Sequence, residues 1–482
     1  MKRLIFILII ALGIAPKMQA QVGFTRTYGA PGLFNDASDI AVDAEGNVYI
    51  CGSTGGYGAQ NGDAAVVVTD SLGQQLDFRI YGGLHSESGK CIAMIPSGGY
   101  AVAGTSNRTQ DLSHQIYFIV ADENGNALID TVYEANGWTT PASMLRSADG
   151  SFVIVFNRTS ADEANKTAGA VKISPQGEIL WQTELSNSPG NIYLNDLTEL
   201  TDSTIIIVGK GNEVVSDSSD MMFVKLAYDG HLLWTKFYGT EGDEWAASVC
   251  ASEQNVIAVA GNRVLENGET SPQLLNLDTA GNVTNEFFDS GYAEVNSIAY
   301  NPENSSLIIA WDYSSSGTPK TALFNFTIDL VYRCSSLPVS PLTAPLRANS
   351  TSAGLNGQMH LCGNMEDTGP GIISMFSFKT GSSCEHTTGL QIGIKELETA
   401  GSPLLYPNPA ENSIHLRWDN TSGIEGVIVL DQSGRRLNVN SFNSANNELS
   451  FEVGALEPGF YYLQIQASGN VGFYCYPFII KR

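Results

Sequence analysis

Charged residues are scarce in this chain, and basic residues are the scarcest. Asp, Glu, Lys and Arg make up 16% of the 482 residues, against roughly 25% in an average soluble domain. The 25 Lys and Arg face 50 Asp and Glu, which gives a net charge of −25. Because a protein that neutralises phosphates needs a basic face, this balance argues against nucleic acid as a partner and against anionic membrane surfaces.

The motifs of common catalytic sites are missing as well. The six histidines are scattered, and none belongs to a His-Glu-x-x-His zinc motif. The chain has no Gly-x-Ser-x-Gly nucleophile elbow. Residues 83–90 resemble a phosphate-binding loop, but five residues separate the two glycines instead of four, and Cys91 follows instead of Ser or Thr. No motif therefore identifies a catalytic site.

Apolar runs of membrane length are also missing, and the longest run lies at the N-terminus. Lys2 and Arg3 precede an apolar stretch over residues 4–14, which Pro16 ends before Ala20. This stretch is well short of the roughly 20 residues that span a bilayer. We therefore expect a secretory signal peptide over residues 1–20, cleaved after Ala20, and no transmembrane span in the mature chain.

Seven cysteines are present, and none has the spacing of a metal site. An odd number leaves at least one thiol unpaired in a monomer. Cys51 and Cys362 occur in matching apolar contexts, which are typical of buried strand residues. Cys334 with Cys384 is the one pair for which we predict a disulfide.

Glycine, in contrast, is abundant and regularly placed. Glycines in hairpin-like turns are spaced by 52, 52, 53 and 51 residues, at Gly73, Gly125, Gly177, Gly230 and Gly281. Each lies between two strand-like segments, and two further strand-like segments follow before the next such turn. Four strands in about 50 residues form one blade of a β-propeller, so the sequence predicts an all-β fold built from repeats.

Counting each strand type along the chain gives seven blades over residues 21–382. The chain begins with an outer strand, near Phe24, and its last repeat has only the other three strand types. This offset predicts that the strand at 24–28 pairs with the strand at 372–378 and closes the ring, which leaves no exposed edge. A linear β-solenoid is the alternative, but it has no use for the offset. The repeats resemble the β-propeller repeats of secreted bacterial proteins.

A linker over residues 383–402 and a second unit over residues 403–482 follow the predicted propeller. The short alternating strands of this second unit predict a small immunoglobulin-like β-sandwich. The unit resembles the type A C-terminal sorting domain of the type IX secretion system of Bacteroidota. The residues that carry the resemblance are Tyr406, Pro407, Asn408, Pro409, Gly434, Arg435, Gly459, Tyr461 and Lys481.

The resemblance implies a route and a destination. It implies Sec export to the periplasm, followed by passage through the type IX outer-membrane translocon, which is the partner of the C-terminal domain. The protein is then secreted or held at the outer cell surface. On this basis we interpret the propeller as a binding protein that presents one face to a glycan or protein ligand. A structural or adhesion role is the first alternative, and a carbohydrate-active hydrolase or lyase with paired carboxylates is the second.

Acidic residues recur where each outer strand leads into the next blade, at Asp36, Glu87, Asp196, Glu244 and Glu294. These connections lie near the axis of a propeller, so five acids at equivalent positions would form a ring of carboxylates around the channel mouth. Such a ring would suit calcium, the one cofactor we consider, or a polar ligand. The structural alternative is that each acid accepts backbone N–H bonds in its own turn.

Overall fold

The computed structural model describes two stretches of the chain with short gaps. These are residues 23–384 except 30–33, 56–61, 109–112, 134–136, 161–165, 186–191, 213–217, 241, 290–292, 316–317, 339–344, 367–372 and 383, and residues 404–480 except 407–409, 411, 418–423, 432–435, 438–440, 445–447, 458 and 468–472. The predicted signal peptide lies outside these residues. The chain divides into two compact units, residues 1–387 and 388–482.

The first unit contains seven antiparallel sheets of four strands each, which are the seven blades. Blades 1 to 3 are formed by β2 (Asn35–Val42), β3 (Val48–Thr54), β4 (Asp63–Thr69) and β5 (Gln75–Tyr81); by β6 (Glu87–Met94), β7 (Tyr100–Ser106), β8 (Gln115–Ala121) and β9 (Ala127–Tyr133); and by β10 (Trp138–Arg146), β11 (Phe152–Thr159), β12 (Lys166–Ile173) and β13 (Ile179–Glu184). Blades 4 and 5 are formed by β14 (Tyr193–Glu199), β15 (Ile205–Gly211), β16 (Asp220–Leu226) and β17 (Leu232–Tyr238), and by β18 (Glu244–Ala251), β19 (Ile257–Val264), β20 (Thr270–Leu277) and β21 (Val283–Phe288).

Blade 6 comprises β22 (Ala293–Asn301), β23 (Ser306–Ser315), β24 (Thr318–Thr327) and β25 (Tyr332–Ser336). Blade 7 combines β26 (Leu346–Ala353), β27 (Met359–Glu366) and β28 (Ile373–Thr380) with the first strand of the chain, β1 (Phe24–Tyr28). A 3-10 turn at Leu355–Gly357 connects β26 to β27. The described residues contain no helix long and apolar enough to cross a membrane.

The ring closes as the sequence predicts. Strand β1 pairs antiparallel with β28, and the register runs from Phe24 opposite Lys379 to Tyr28 opposite Met375. The last blade therefore takes its outer strand from the beginning of the chain. The predicted class of fold, a seven-bladed propeller followed by a small β-domain, is confirmed.

Two residues that recur in the repeats, a tyrosine and a turn glycine, contact each other at the junctions between blades. The hydroxyl of Tyr28 donates to the carbonyl of Gly73 in the next blade, and Tyr81 donates to Gly125 in the same way. Tyr133 repeats the contact with Gly177, and Thr183 makes it to Gly230. These turn glycines have φ between +74° and +87°, a left-handed conformation that glycine adopts without steric cost. The period of about 52 residues thus reflects one contact repeated from blade to blade.

A second recurrent glycine faces a β-bulge in the first strand of its blade. Gly104 lies opposite the bulge between Gly89 and Cys91, and Gly209 lies opposite the one between Leu194 and Asp196. A Cβ atom on Gly104 would lie 1.7 Å from the carbonyl oxygen of Ser88. Only glycine fits there, because the bulge pushes the first strand towards the second.

The apolar core lies between the blades. Each cluster joins the middle strands of neighbouring blades, for example Phe118 of blade 2 with Phe152 and Ile154 of blade 3. Cys51, Cys91, Cys250 and Cys362 are buried and free. The predicted disulfide, Cys334 to Cys384, is present and joins β25 of blade 6 to the segment that follows β28.

The second unit contains two further sheets of four strands. One has β29 (Leu404–Tyr406), β30 (Ser413–Arg417), β34 (Glu448–Glu452) and β33 (Ser441–Ser444), and the other has β32 (Arg436–Leu437), β31 (Ile424–Asp431), β35 (Gly459–Ala467) and β36 (Phe473–Ile480). Ile414, Leu416 and Phe451 of the first sheet share one buried core with Val429 and Leu463 of the second. This arrangement is a small β-sandwich.

Candidate functional site

A cavity of about 480 Å³ lies where the first strands of all seven blades converge. Each of these strands bulges at its centre, and the bulge residues point towards the axis. These residues are Ser38, Lys90, Ala142, Asn195, Ala247, Asn296 and Asn349. All seven line the cavity. We call them the bulge layer.

The residue after each bulge forms a deeper layer, which we call the inner layer. Its members are Asp39, Cys91, Ser143, Asp196, Ser248, Ser297 and Ser350, and all of them line the cavity. In the described chain, hydrogen bonds made by this layer join neighbouring blades at six of the seven junctions. At the junction of blades 2 and 3 the member is Cys91, whose Sγ lies 3.6 Å from the carbonyl oxygen of Ala103 in its own blade.

The two aspartates of the inner layer are fully engaged. Asp196 accepts from the hydroxyls of Ser143 at 2.7 Å and Ser248 at 2.6 Å, and from the backbone N–H groups of Leu197 and Val249. Asp39 accepts from the Ser350 hydroxyl and from two backbone N–H groups. Burial raises the pKa of both carboxyls, although these hydrogen bonds oppose the rise. The two acids hold neighbouring blades together.

The residues two positions before each bulge form a third layer, which we call the mouth layer. It lies nearer the face at which the first strands begin, and its members are Asp36, Ser88, Thr140, Tyr193, Trp245, Glu294 and Arg347. Its chemistry changes from blade to blade. Tyr193 and Trp245 are contributed by the adjacent blades 4 and 5, and both line the cavity together with Glu294. The Tyr193 side chain is 47% exposed.

The five acids singled out in the sequence do not share one layer. Asp196 belongs to the inner layer, whereas Asp36 and Glu294 belong to the mouth layer. Glu87 and Glu244 lie three residues before their bulges and are buried outside the cavity lining. The acids therefore form no single ring of carboxylates, because their spacing departs from the period of the blades. Their role in binding a ligand stays a prediction.

Glu87 is held by its own blade. Its carboxylate accepts from the hydroxyl of Ser106 at 2.9 Å and from Nε of Arg108 at 2.8 Å. Arg108 also pairs with Asp130 at 2.6 Å. These contacts join the start of β6 to the end of β7 and, through Arg108, to β9. Within the described parts of the chain, no cluster of three or more His, Cys, Asp or Glu side chains could hold a metal ion.

Sequence reasoning missed most of the cavity lining, including the three largest side chains that blades 4 and 5 contribute: Tyr193, Lys210 and Trp245. Lys210 belongs to β15 and lies directly opposite Tyr193 in the register. Aligning the repeats on the recurrent glycine of the second strand would have found it. The residue after this glycine is Asn262 in blade 5 and Asn364 in blade 7, but Lys210 in blade 4.

The sorting residues fall partly within the described chain. Tyr406 ends β29 and Gly459 begins β35. Tyr461 is buried in the core of the sandwich and donates to the carbonyl of Glu457 at 2.7 Å. Pro407, Asn408, Pro409, Gly434, Arg435 and Lys481 lie outside the described residues.

Residues 404–476 match the family of secretion system C-terminal sorting domains. The class of the protein follows from this match and from the fold. It is a seven-bladed β-propeller that carries a type IX secretion sorting domain, and it is exported to the cell surface or secreted.

Comparison with solved structures finds several matches at low identity. One is PorZ, an essential surface component of the type IX secretion system of Porphyromonas gingivalis, at 13% identity and a TM-score of 0.43; the match covers 94% of this chain and 60% of that one. Virginiamycin B lyase from Staphylococcus aureus matches at 12% and 0.48, over 74% and 99% of the two chains. An ulvan lyase of a polysaccharide lyase family matches at 11% and 0.49, over 73% and 95%. No curated protein sequence matches significantly. The chain thus spans about 60% of the length of the PorZ structure.

Proposed function

We propose that this protein is an exported binding protein that takes a glycan at the mouth of its propeller channel. The observation that carries the proposal is the pair of aromatic side chains, Tyr193 and Trp245, at equivalent positions of adjacent blades in a cavity whose other lining residues are mostly polar. Sugar rings present apolar faces that stack on aromatic rings and hydroxyls that pair with amides and charged groups.

The surroundings of the two rings fit this chemistry. Asn296 and Glu294 of blade 6 lie in the same lining and offer hydrogen-bond donors and acceptors. The cavity of about 480 Å³ is open at the mouth, and sites of 300 to 1,000 Å³ are typical for small ligands, by a rough general range. A terminal sugar or a short oligosaccharide fits this size.

Binding is favoured over hydrolysis by the state of the buried acids. A glycosidase needs one carboxyl to donate a proton and a second to act as base or nucleophile. Asp39 and Asp196 are the acids of the lining whose pKa is raised, but serine hydroxyls and backbone N–H groups already bond to their oxygens. These two carboxyls are committed to the contacts between blades.

A glycan array tests the proposal with the full secreted chain and three variants. We expect the wild type to bind a defined set of glycans, and Trp245→Ala and Tyr193→Ala to lose at least about tenfold in affinity, because each removes a stacking surface. Tyr228→Ala is the matched control, since Tyr228 is 65% exposed but lies outside the cavity lining. An array without bound glycans, or binding that survives both mouth substitutions, would contradict the proposal.

The export route is part of the same proposal. The segment 1–20 directs Sec export, and the C-terminal domain engages the outer-membrane translocon. Removing residues 403–482 in the native host is expected to leave the protein in the periplasm, because the propeller has its own cores and its own disulfide. Cell fractionation measures this, and truncated protein in the medium at the level of the wild type argues against a sorting role.

A further inference from the structure

In blades 3, 5 and 7, the second strand has an asparagine directly after the residue opposite the bulge, and this asparagine hydrogen-bonds to the next blade. Asn157 accepts from the backbone N–H of Leu194 and donates to its carbonyl, both at 2.8 Å. Asn262 makes the same two bonds to Val295, at 2.7 and 3.0 Å. Asn364 accepts from Ala37 where the ring closes. Asparagine at this position thus joins three pairs of blades.

Blade 4 departs from this pattern, because Lys210 occupies the position. The bond to blade 5 is made by another residue: the amide of Asn195, in the bulge layer, donates to the carbonyl of Ala246 at 2.7 Å. Lys210 is the one exposed residue of β15 and lines the cavity. Its ammonium has no hydrogen bond or ion pair within the part of the chain that the structure describes.

Buried lysines elsewhere in the propeller are occupied. Lys172 pairs with Asp149 at 2.8 Å, Lys225 donates to the carbonyl of Thr279, and Lys379 donates to the carbonyl of Ser71. Burial raises the pKa of Asp36 and Asp39, and the other lysine of the cavity, Lys90, lies close enough for its charge to oppose that rise. Lys210 instead stands beside the aromatic pair and is free to meet a ligand.

We infer that the glycan bound at the mouth carries an acidic group, a carboxylate or a sulfate, and that Lys210 pairs with it while the sugar stacks on Tyr193 and Trp245. The inference rests on the proposed function and names its ligand class. The free ammonium of Lys210 lies next to the two aromatic rings, and it would attract an acidic group although the chain as a whole has a net charge of −25. A neutral sugar would need no such cation.

The decisive variant is Lys210→Asn, because it restores the residue that three other blades carry at this position and so preserves the fold. Affinities are measured on an array that holds neutral glycans, uronate-bearing glycans and sulfate-bearing glycans. We expect acidic glycans to dominate the wild-type signal, and Lys210→Asn to weaken them at least about tenfold, the effect of losing one charge-assisted hydrogen bond. Lys210→Arg should keep them. Lys236→Asn is the control, since it removes the same charge from an outer strand.

Titration of the full chain with trigalacturonate and with its neutral methyl ester gives a second measurement. Preference for the uronate over the ester, lost in Lys210→Asn, identifies a carboxylate; preference for sulfated glycans on the array identifies a sulfate. Neutral glycans that bind through Trp245 and are unaffected by Lys210→Asn would overturn this inference and leave the proposed function standing. If no glycan binds, both fail. A thermal midpoint of Lys210→Asn equal to or above that of the wild type shows that lost binding is not lost folding.

Discussion

The inner layer and the mouth layer of the channel come from the same seven strands but differ sharply in chemistry. The inner layer repeats small polar side chains, with serine at four of its seven positions, and hydrogen bonds link them across the blade junctions. The mouth layer, three residues earlier in each strand, holds two acids, two small hydroxyls, two aromatics and an arginine. The residue type is therefore repeated in the inner layer, where neighbouring blades contact each other, and it varies in the mouth layer, where the channel opens to solvent.

This difference separates folding from function in one set of strands. A hydrogen bond between blades constrains both partners, so repetition of the inner layer follows from the repetition of the fold. Four side chains of the mouth layer are exposed and three are half-buried, and substitutions at exposed positions usually cost little stability. Chemical variety at that layer is therefore available for recognition of a ligand, and its clustering of Tyr193, Trp245 and Lys210 on blades 4 and 5 gives the channel one distinct side.

The largest effect is expected where the inner layer is broken. Asp196→Ala leaves four donors without their acceptor, two hydroxyls and two backbone N–H groups. Buried donors left unpaired cost about 1 to 3 kcal/mol each, and the hydroxyls can turn elsewhere, so we expect a loss of at least about 3 kcal/mol. Urea unfolding followed by tryptophan fluorescence measures it. The stability of Asp196→Asn, which keeps one acceptor, should fall between those of the wild type and Asp196→Ala. A loss below about 1 kcal/mol for Asp196→Ala would refute the idea that the inner layer holds the blades together.

A second prediction concerns pH and the interior of blade 7. His360 is fully buried, neither ring nitrogen has a hydrogen-bond partner among the residues that the structure describes, and burial lowers its pKa to about 3. The unfolded chain binds a proton near pH 6.5 and the native chain does not, so this residue makes stability fall as the pH drops from about 6.5 towards 3, by up to about 1.4 kcal/mol per pH unit. Above pH 6.5 it has no effect.

Denaturation of wild type and His360→Gln between pH 4 and 7 measures this contribution, because the effects of the carboxyl groups cancel in the difference. The stability of His360→Gln should decline less steeply on acidification. Parallel curves for the two proteins would show that His360 titrates alike in the folded and unfolded states.

The sequence was sufficient for the repeat, because its turn glycines recur at one period, and for the ring closure, because the last repeat lacks an outer strand and the chain begins with one. The disulfide was also predicted, although no pattern in the sequence marks that pair of cysteines. Gly73 and Tyr28 recur at the blade period since one bonds to the other. The acids do not mark one layer of the channel, because Glu87 and Asp196 differ by four positions relative to their bulges. A bulge adds one residue to a strand without any mark in composition, so which side chain faces the channel depends on contacts between blades.

A smaller effect is expected at the tyrosine–glycine hydrogen bonds between blades. Two of them allow the junction at which the ring closes to be compared with an ordinary junction. Tyr28→Phe removes the hydroxyl that reaches Gly73 between blades 7 and 1, and Tyr133→Phe removes the one that reaches Gly177 between blades 2 and 3. Each should lower stability by about 1 kcal/mol, the net value of one hydrogen bond. Thermal unfolding of both variants checks it, and a markedly larger loss for Tyr28→Phe would show that the ring depends more on this bond where blades 7 and 1 meet than at the other junction.

The smallest effect is expected in the mouth layer itself. Tyr193 and Glu294 are exposed, and their side chains make no hydrogen bond across a blade junction in the described chain. Tyr193→Ala and Glu294→Ala should therefore change stability by no more than about 0.5 kcal/mol each, as is usual for surface positions, and their effects should add, because they lie on blades 4 and 6. Urea unfolding of the single and double variants, under the conditions used for Asp196→Ala, measures this. A loss of 2 kcal/mol or more in the double variant would place the mouth layer among the contacts that hold the ring together, and the separation between a structural layer and a recognition layer would then be wrong.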